Sequence, residues 1–335
     1  MKTQDELDAW LSEHHLHGLW NGVAGGPPLS PYLWKWSDIE QGVKAAAELI
    51  PLDTGGRRGI NVRHPNFPDR MTNTIHMSVQ CVLPGEIATA HRHNPAAVRF
   101  IIKGSPKAFT VVEGEPMAME TGDFITTPMW TWHDHRNEGD EPVVWLDGLD
   151  VRMVSWWHML WQGHDEPRQP LTKPAGSSNK LLSKARPLWM ESEHLTPPLR
   201  YPWAETAETI RALKEAEEGD DPYDGIKLSF AHPMTGGPTL PSFACGLQVL
   251  TPHRKTQAHR HLSNSLYHVF RGSGTTTIDG QPFEWSQGDI FLVPPWCAHF
   301  HENRGAEDAI LFTMDDWPAT EALGLYREEE MFTSS

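Results

Sequence analysis

The tetrapeptide Ala-His-Arg-His is written twice, at 90–93 and at 258–261, and the surroundings of the two copies match. The stretch SVQCVLPGEIATAHRH (78–93) lies over GLQVLTPHRKTQAHRH (246–261), setting Gln80 over Gln248 and His91 over His259. Gly104 then falls over Gly272, and TGDFITTPMWTWHDHRN (121–137) over QGDIFLVPPWCAHFHEN (287–303). Upstream, HGLW ending at Trp20 answers RPLW ending at Trp189, and each is followed by Pro-Pro-Leu, at 27–29 and 197–199. The offset drifts by only a few residues over this span, as changes in loop length produce and chance does not. The chain is a duplication, so whatever one half folds into, the other does too.

The texture of each half is β. FTVVEG, DFITTP, VVWLDGLDV, GTTTIDG and DIFLVPP are short runs rich in Val, Ile, Thr and Phe, punctuated by Gly, Pro and Asp. TIDGQPFEW reads as a hairpin, since Asp279-Gly280 suits a turn with positive φ. Strands at this spacing predict a sandwich or barrel. Helical patterns precede each β-rich half, at 36–50 and 203–219, with another at 5–15; Ser37 and Thr206 are expected as N-caps or first-turn residues and Gly219 as a stop. The Pro, Ser and Lys of 169–187 mark a connecting arm. At 335 residues, two domains are expected: 1–168, a helical arm plus a first barrel, and 169–335, the connection plus a second.

Composition removes several functions. The net charge is −16, which repels nucleic acid and anionic membrane surfaces and requires a local basic pocket for any small anionic substrate. No apolar run approaches the ~18 residues of a membrane span. The start, MKTQDELDAWLSEHH, is too polar for a signal peptide, so a cytoplasmic location is expected. Three cysteines without a close pair argue against a disulfide framework or a Cys-ligated zinc site, whereas histidine is abundant at 19 copies.

Side chains alternate along a strand, so His91 and His93 project to one face, as do His259 and His261. Two imidazoles on one face make half a metal site. His133 and His299 are the candidate third ligands, each at the end of a run that starts from Gly-Asp and passes through a proline. A single His-X-His is most simply an ordinary surface or core pair; two copies in register, each with a downstream histidine, make that reading poor. Three neutral imidazoles suit Fe, Cu, Zn or Ni rather than Mg or Ca. Adjacent open positions can hold a chelating substrate beside O2, which favours ferrous iron and oxygenation, with zinc hydrolysis as the chemical rival.

The pattern from Gly85 through His91 and His93 to Gly104, then Gly122, Pro128, His133 and Asn137, resembles the two signature motifs of the cupin superfamily, a jelly-roll (double-stranded β-helix) barrel. His259, His261, Gly272, Gly288, Pro294, His299 and Asn303 repeat it, implying an all-β bicupin with peripheral helices. The chain departs from the usual motif in lacking its glutamate ligand: Ala97 and Ser265 stand there. More specifically, NTIHMSVQCVLPGEIATAHRHNPAAVRFIIKG with GDFITTPMWTWHDHRNEG and VVWLDGLDV resembles gentisate 1,2-dioxygenase and relatives acting on salicylates and 1-hydroxy-2-naphthoate, over nearly the whole chain. The resemblance implies Fe(II) on His91, His93 and His133, with a small aromatic 2-hydroxy acid chelating it through carboxylate and hydroxyl beside O2. It implies ring fission between the carboxyl- and hydroxyl-bearing carbons, which for gentisate yields maleylpyruvate. It also implies a homotetramer.

In that frame Arg99, on the strand parity of His93, is expected to face the cavity and fork onto the substrate carboxylate. His135, on the parity of His133, is expected to act as acid or base. Gln80 and Asp147 match pocket positions, with Asp147 a partner orienting His135. Arg57 and Arg58 resemble the family's N-terminal segment that reaches the carboxylate, and which of the two does so stays open. His76 falls where some relatives carry Trp, which bears on substrate choice; Trp130 and Trp132 read as barrel packing. The second half keeps a full triad, His259, His261 and His299, so a second metal is chemically possible there. However, Tyr267 replaces Arg99 and Thr313 falls where Asp147 is expected, so the first barrel is expected to be the active one. A non-catalytic bicupin would not keep two triads, and a sugar-phosphate isomerase would carry the missing glutamate and more basic contacts.

Overall fold

The structure, a computed structural model, describes residues 2–16, 19–21, 29–52, 58–164, 168–182, 197–217 and 219–331. Four antiparallel sheets form two jelly-roll barrels. In the first, a six-stranded sheet runs Leu199–Tyr201, Phe124–Thr127, Ala97–Lys103, Val143–Leu149, His76–Val82, Gly59–Asn61. Its five-stranded companion runs Gln162–His164, Ile87–His93, His133–Asn137, Ser105–Val112, Glu115–Met119. The second barrel has a seven-stranded sheet ordered Tyr32–Trp34, Ile290–Val293, Ser265–Arg271, Ala309–Asp315, Ala244–Leu250, Gly225–Ser229, Asp220–Asp221. Its five-stranded sheet runs Gln281–Ser286, Ser273–Ile278, His299–Glu302, His259–His261, Glu328–Glu330. The Asp279-Gly280 turn joins two of these strands with both residues at positive φ, as its sequence requires.

The large sheets are apolar on both faces, and the reason is their packing. Inward residues such as Val82, Ile101, Ile125, Val143 and Trp145 fill the first barrel. The outward residues of the same strands, Val79, Val98, Phe100, Phe124 and Leu146, join Leu247, Val249, Leu266, Leu292, Phe312 and Met314 of the other large sheet in one cluster. Phe100 stacks on Phe312 at 4.6 Å and Phe124 on Phe230 at 4.3 Å. Sheets covered on both sides read as continuous apolar runs rather than as alternation, which is how these strands are written.

The duplication appears in space as an exchange of arms. Tyr32–Trp34, from the first half, pairs with Ile290–Val293 of the second barrel. Leu199–Tyr201, from the second half, pairs with Phe124–Thr127 of the first. The helices that follow, Trp36–Leu49 and Trp203–Ala216, have Lys35 and Pro202 at the N-cap and receive no side-chain cap from either. Ser37 and Thr206 therefore lie within the first turn. The caps come from the opposite half: the Asp289 carboxylate accepts from the Trp36 N–H at 2.8 Å and from Lys35 Nζ at 2.8 Å. Asp123 likewise accepts from the Trp203 N–H at 2.9 Å and Arg200 Nε at 2.7 Å. Each aspartate follows a glycine that cannot be replaced, because a Cβ on Gly122 would stand 2.8 Å from Trp203 and one on Gly288 2.3 Å from Trp36.

A second symmetric pair ties the strand ends. Asp150 accepts from the Ala96 N–H at 2.8 Å and from Ser242 Oγ of the other barrel at 2.7 Å. Asp316 accepts from the Asn264 N–H at 2.7 Å and from Thr74 Oγ1 of the first barrel. The segment read as a connecting arm is also built in: Gln169 donates its N–H to Asp134 at 2.7 Å, and Ser178 Oγ donates to Glu115 at 2.6 Å. The edges of the two barrels thus draw strands from both sides of residue 168.

Asp289→Ala should leave the part-buried Trp36 N–H of the opposite half without its acceptor, at a cost of ~1–3 kcal/mol in urea unfolding; a loss below ~0.5 kcal/mol would dismiss the cap. Burial pushes the Asp150 carboxyl up to about 6, against Ser242 and Ala96, which pull it down. The folded protein then holds a proton that the unfolded chain has released, so this group's contribution fades as pH rises from ~4 to ~6. Stability measured relative to Asp150→Asn should fall across that window, and a flat difference would contradict the linkage.

Candidate metal centre

His91 and His93 flank Arg92 at the end of the strand Ile87–His93, and His133 opens the neighbouring strand directly opposite His91. One ligand atom from each of the three lies within 4.8 Å of the others. The ring centroids are 4.0 Å (His91–His133), 4.9 Å (His93–His133) and 5.4 Å (His91–His93) apart. Each Nδ1 meets a backbone carbonyl, Thr89 O at 3.2 Å, Pro95 O at 2.7 Å and Thr131 O at 3.0 Å. A carbonyl only accepts, so the proton sits on Nδ1 and Nε2 keeps its lone pair for a cation. The third ligand is delivered by the turn after Pro128, where Trp130 holds a left-handed φ of 67° and donates its N–H to His93 O at 2.8 Å. A bulky residue in that region is strained, and the strain is held where two ligand strands must meet. Trp130 is exposed and lies against Trp161 at 5.2 Å, so it does not pack the barrel.

Beside the triad, the large sheet presents a buried polar set. Arg99 stands opposite Asp147 in register, with Nε 3.2 Å from Oδ1, and its Nη1 donates to Thr127 Oγ1. Gln80 donates from Nε2 to the other Asp147 oxygen at 2.8 Å. Burial pulls the Arg99 guanidinium down while Asp147 raises it. His76 shares the parity of Gln80 on its strand, half-buried; burial and then Arg152 lower its ring, and Asp147 opposes them.

The Asp147 carboxylate meets Arg99 on one oxygen and Gln80 on the other. The Nδ1 of His135 meets Thr110 Oγ1 at 3.0 Å, and its ring rests 5.0 Å from Trp145. Arg58 is buried and forks onto Glu86 at 2.7 and 2.8 Å, with Nε donating to Ile50 O at 2.7 Å. Arg57 lies outside the described residues. Thr110 and Thr127 were missed, although the former had a signal: Thr276 is its duplicate and meets His301 Nδ1 at 2.8 Å.

The second triad is equally convergent, with the ligand atoms of His259, His261 and His299 within 4.8 Å of one another. Tyr267 occupies the place of Arg99, stacked on Phe291 at 4.6 Å, and Thr313 faces it as Asp147 faces Arg99. Ala97 and Ser265 offer no carboxylate to either centre. Two buried three-imidazole clusters whose Nδ1 atoms are engaged fit a divalent metal ion of the nitrogen-preferring kind.

Two antiparallel jelly rolls, each carrying His-X-His on one strand and a third histidine on the next, define a metal-binding tandem cupin, and the cupin domain model matches 78–149 and 246–315. The chain is 37% identical to 1-hydroxy-2-naphthoate 1,2-dioxygenase of Nocardioides sp. (strain KP7), over 96% of this chain and 83% of that one. It is 36% identical to a gentisate 1,2-dioxygenase of Haloferax sp., covering 98% and 97%. The solved adduct of salicylate 1,2-dioxygenase from Pseudoaminobacter salicylatoxidans with gentisate matches with a TM-score of 0.89 at 25% identity, over 99% of this chain and 96% of that one. The protein belongs to the gentisate 1,2-dioxygenase family of ring-cleaving bicupins and is an oxidoreductase of that dioxygenase class. No helix of the described residues is long and apolar enough to cross a membrane.

Because Glu86 holds Arg58, Arg58→Gln should cost ~1–3 kcal/mol in chemical unfolding through loss of a buried pair while changing KM for an aromatic acid less than about threefold. A large rise in KM with stability intact would return Arg58 to the pocket.

Proposed function

We propose that the first barrel cleaves the ring of an aromatic 2-hydroxy acid with O2, using Fe(II) held by His91, His93 and His133, and that gentisate is the preferred substrate, giving maleylpyruvate. The supporting observation is that a buried, braced arginine shares the barrel interior with this triad, whereas the duplicate triad has a tyrosine there. Iron bound at the triad supplies one-electron chemistry between an electron-rich ring and O2, which spin-paired zinc does not.

The chain's own residues supply position and protons. Thr127 and Asp147 hold Nη1 and Nε of Arg99, turning the Nη2 edge to the substrate carboxylate; in a chain of net charge −16 this local cation is what admits the anion. Gln80 keeps the Asp147 carboxylate in place on its other oxygen. His135, fixed at Nδ1 by Thr110, takes the proton of the ring hydroxyl at Nε2 and returns it as the ring opens. His76, at the pocket wall, discriminates among ring substituents. Holding the acid and O2 at one centre supplies the proximity contribution. Related substrates, namely salicylate, substituted salicylates and 1-hydroxy-2-naphthoate, are the second reading, favoured by the names of the relatives above. The proposed assembly is a cytoplasmic homotetramer.

Oxygen uptake with this panel of acids should be greatest for gentisate with Fe(II) and absent with zinc, the ring-opened product being followed by ultraviolet absorbance. His91→Ala should abolish turnover, His259→Ala should leave most of it, and Arg99→Gln should raise KM at least ~10-fold. Zinc-supported turnover without O2 would replace this reading by hydrolysis, and loss of all activity in folded His259→Ala still carrying first-barrel iron would overturn the assignment of barrels.

A further inference from the structure

Arg92 stands between His91 and His93 but, by strand alternation, on the opposite face, outside the first barrel. Its guanidinium lies over Trp132 at 4.9 Å and over Trp161 at 5.3 Å. Among the described residues its side chain makes no hydrogen bond and no ion pair, and its Nε is shut off from solvent without an acceptor. The chain holds 44 acidic residues against 28 basic ones, so an arginine that meets none of them reflects the local architecture and not a shortage of carboxylates. Cation–π contact engages the face of the guanidinium and leaves its in-plane N–H groups in need of acceptors.

The duplication shows what such an arginine takes. Arg260 has the same place between His259 and His261 and lies over Trp296 at 4.5 Å. It donates from Nε, at 2.7 Å, and from Nη2 to one oxygen of Glu329. Glu329 stands directly opposite Arg260 on the edge strand Glu328–Glu330. The corresponding edge strand of the first barrel, Gln162–His164, sets Gly163 opposite Arg92, so that position supplies no carboxylate. A Cβ on Gly163 would meet the Trp161 ring at 2.8 Å, so the ring lies where an acidic side chain would start. Trp161 thus replaces the bulk of the glutamate and none of its acceptors.

The rings beside Arg92 are fixed in advance. Asn94 brackets Trp161, accepting its N–H on Oδ1 at 2.7 Å and donating its own backbone N–H to Trp161 O at 3.2 Å. Trp130, 49% exposed, lies 5.2 Å from Trp161, which is 41% exposed. Open indole faces beside an unpaired guanidinium suit a flat apolar ring that carries a carboxylate. An aliphatic acid would satisfy the charge and leave the indoles in water.

We propose that Arg92, Trp161 and Trp130 form a second site, on the outer face of the first barrel, for a small aromatic carboxylic acid. The Nη edge of Arg92 takes the carboxylate, in the role that Glu329 has for Arg260, and the exposed indoles take the ring. The site makes no use of the triad and does not depend on which acid is opened inside the barrel.

The test is anaerobic dialysis of labelled benzoate against the full chain loaded with Fe(II); benzoate lacks the ortho-hydroxyl with which a 2-hydroxy acid chelates a metal. Wild type should hold about one benzoate more per chain than Arg92→Gln. Arg92→Lys, which keeps the charge without the planar fork, should bind that benzoate at least ~10-fold more weakly. Gly163→Glu, which supplies the missing carboxylate from the opposite strand, should lose it too. The difference should persist in an Arg99→Gln background, where the interior cation is gone, so this site and the chemistry of the first barrel fail separately. Acetate should displace benzoate at least ~10-fold less well, and equal displacement would overturn the role of the indoles. Equal counts in wild type and Arg92→Gln, with unchanged unfolding midpoints, would overturn the site. So would a fall in particle mass by light scattering in Arg92→Gln with no benzoate lost, which would give this surface to a second copy of the chain.

Discussion

Phe100 and Phe312 stack at 4.6 Å in the middle of an apolar layer that joins the two large sheets, and most of what else the chain does presupposes that contact. A fully buried aromatic side chain contributes ~1.5–3 kcal/mol, and the layer contains many such residues from both halves. Because it covers the outer face of each large sheet, the inner faces turn to the barrel interiors, where apolar clusters and the polar groups near each triad share a rigid floor. The exchanged strands and the aspartates that cap the opposite half's helices close the edges of that layer. The barrels are therefore mutual scaffolds rather than beads on a linker, and the arms read as connections from composition are part of the sheets.

On this shared frame the two cavities have diverged by a handful of side chains. The ligands, the left-handed tryptophan turn that delivers the third of them, and the threonine behind the extra histidine are all kept: Trp130 and Trp296, Thr110 and Thr276. What differs is the charge that faces them. Arg99 and Asp147 have become Tyr267 and Thr313, while the position opposite Gln80 and Gln248 is Gly59 in one barrel and Lys227 in the other. A cation has in effect moved from one strand to another and acquired acidic neighbours. Fold and histidine set are thus common to both halves, and the chemistry each can support lies in which polar groups stand beside the triad.

The parts legible from sequence were those governed by period and repetition. The helices at 36–49 and 203–216, the Asp279-Gly280 hairpin and the pairing of His-X-His with a later histidine follow from local conformational preference and strand alternation, which a single segment carries within itself. The polar contacts were less legible. That Glu86 holds Arg58, and that Arg99 and Gln80 share the two oxygens of Asp147, is not written in any one segment, because the partners are remote in sequence. The N-caps were sought one residue into each helix, whereas they arrive from some 80 or 250 positions away.

By itself, then, the amino-acid sequence determined the duplication, the β-barrel class, the six histidines of the two convergent triads and the asymmetry of Arg99 against Tyr267, because each is written in residue type and spacing. Tertiary structure alone decided which carboxylate neutralises which cation and that each half lends a strand and a helix cap to the other. Ion pairs and caps are chosen by proximity in space, and many acidic residues along this chain are chemically equivalent until folding brings one of them within hydrogen-bonding distance.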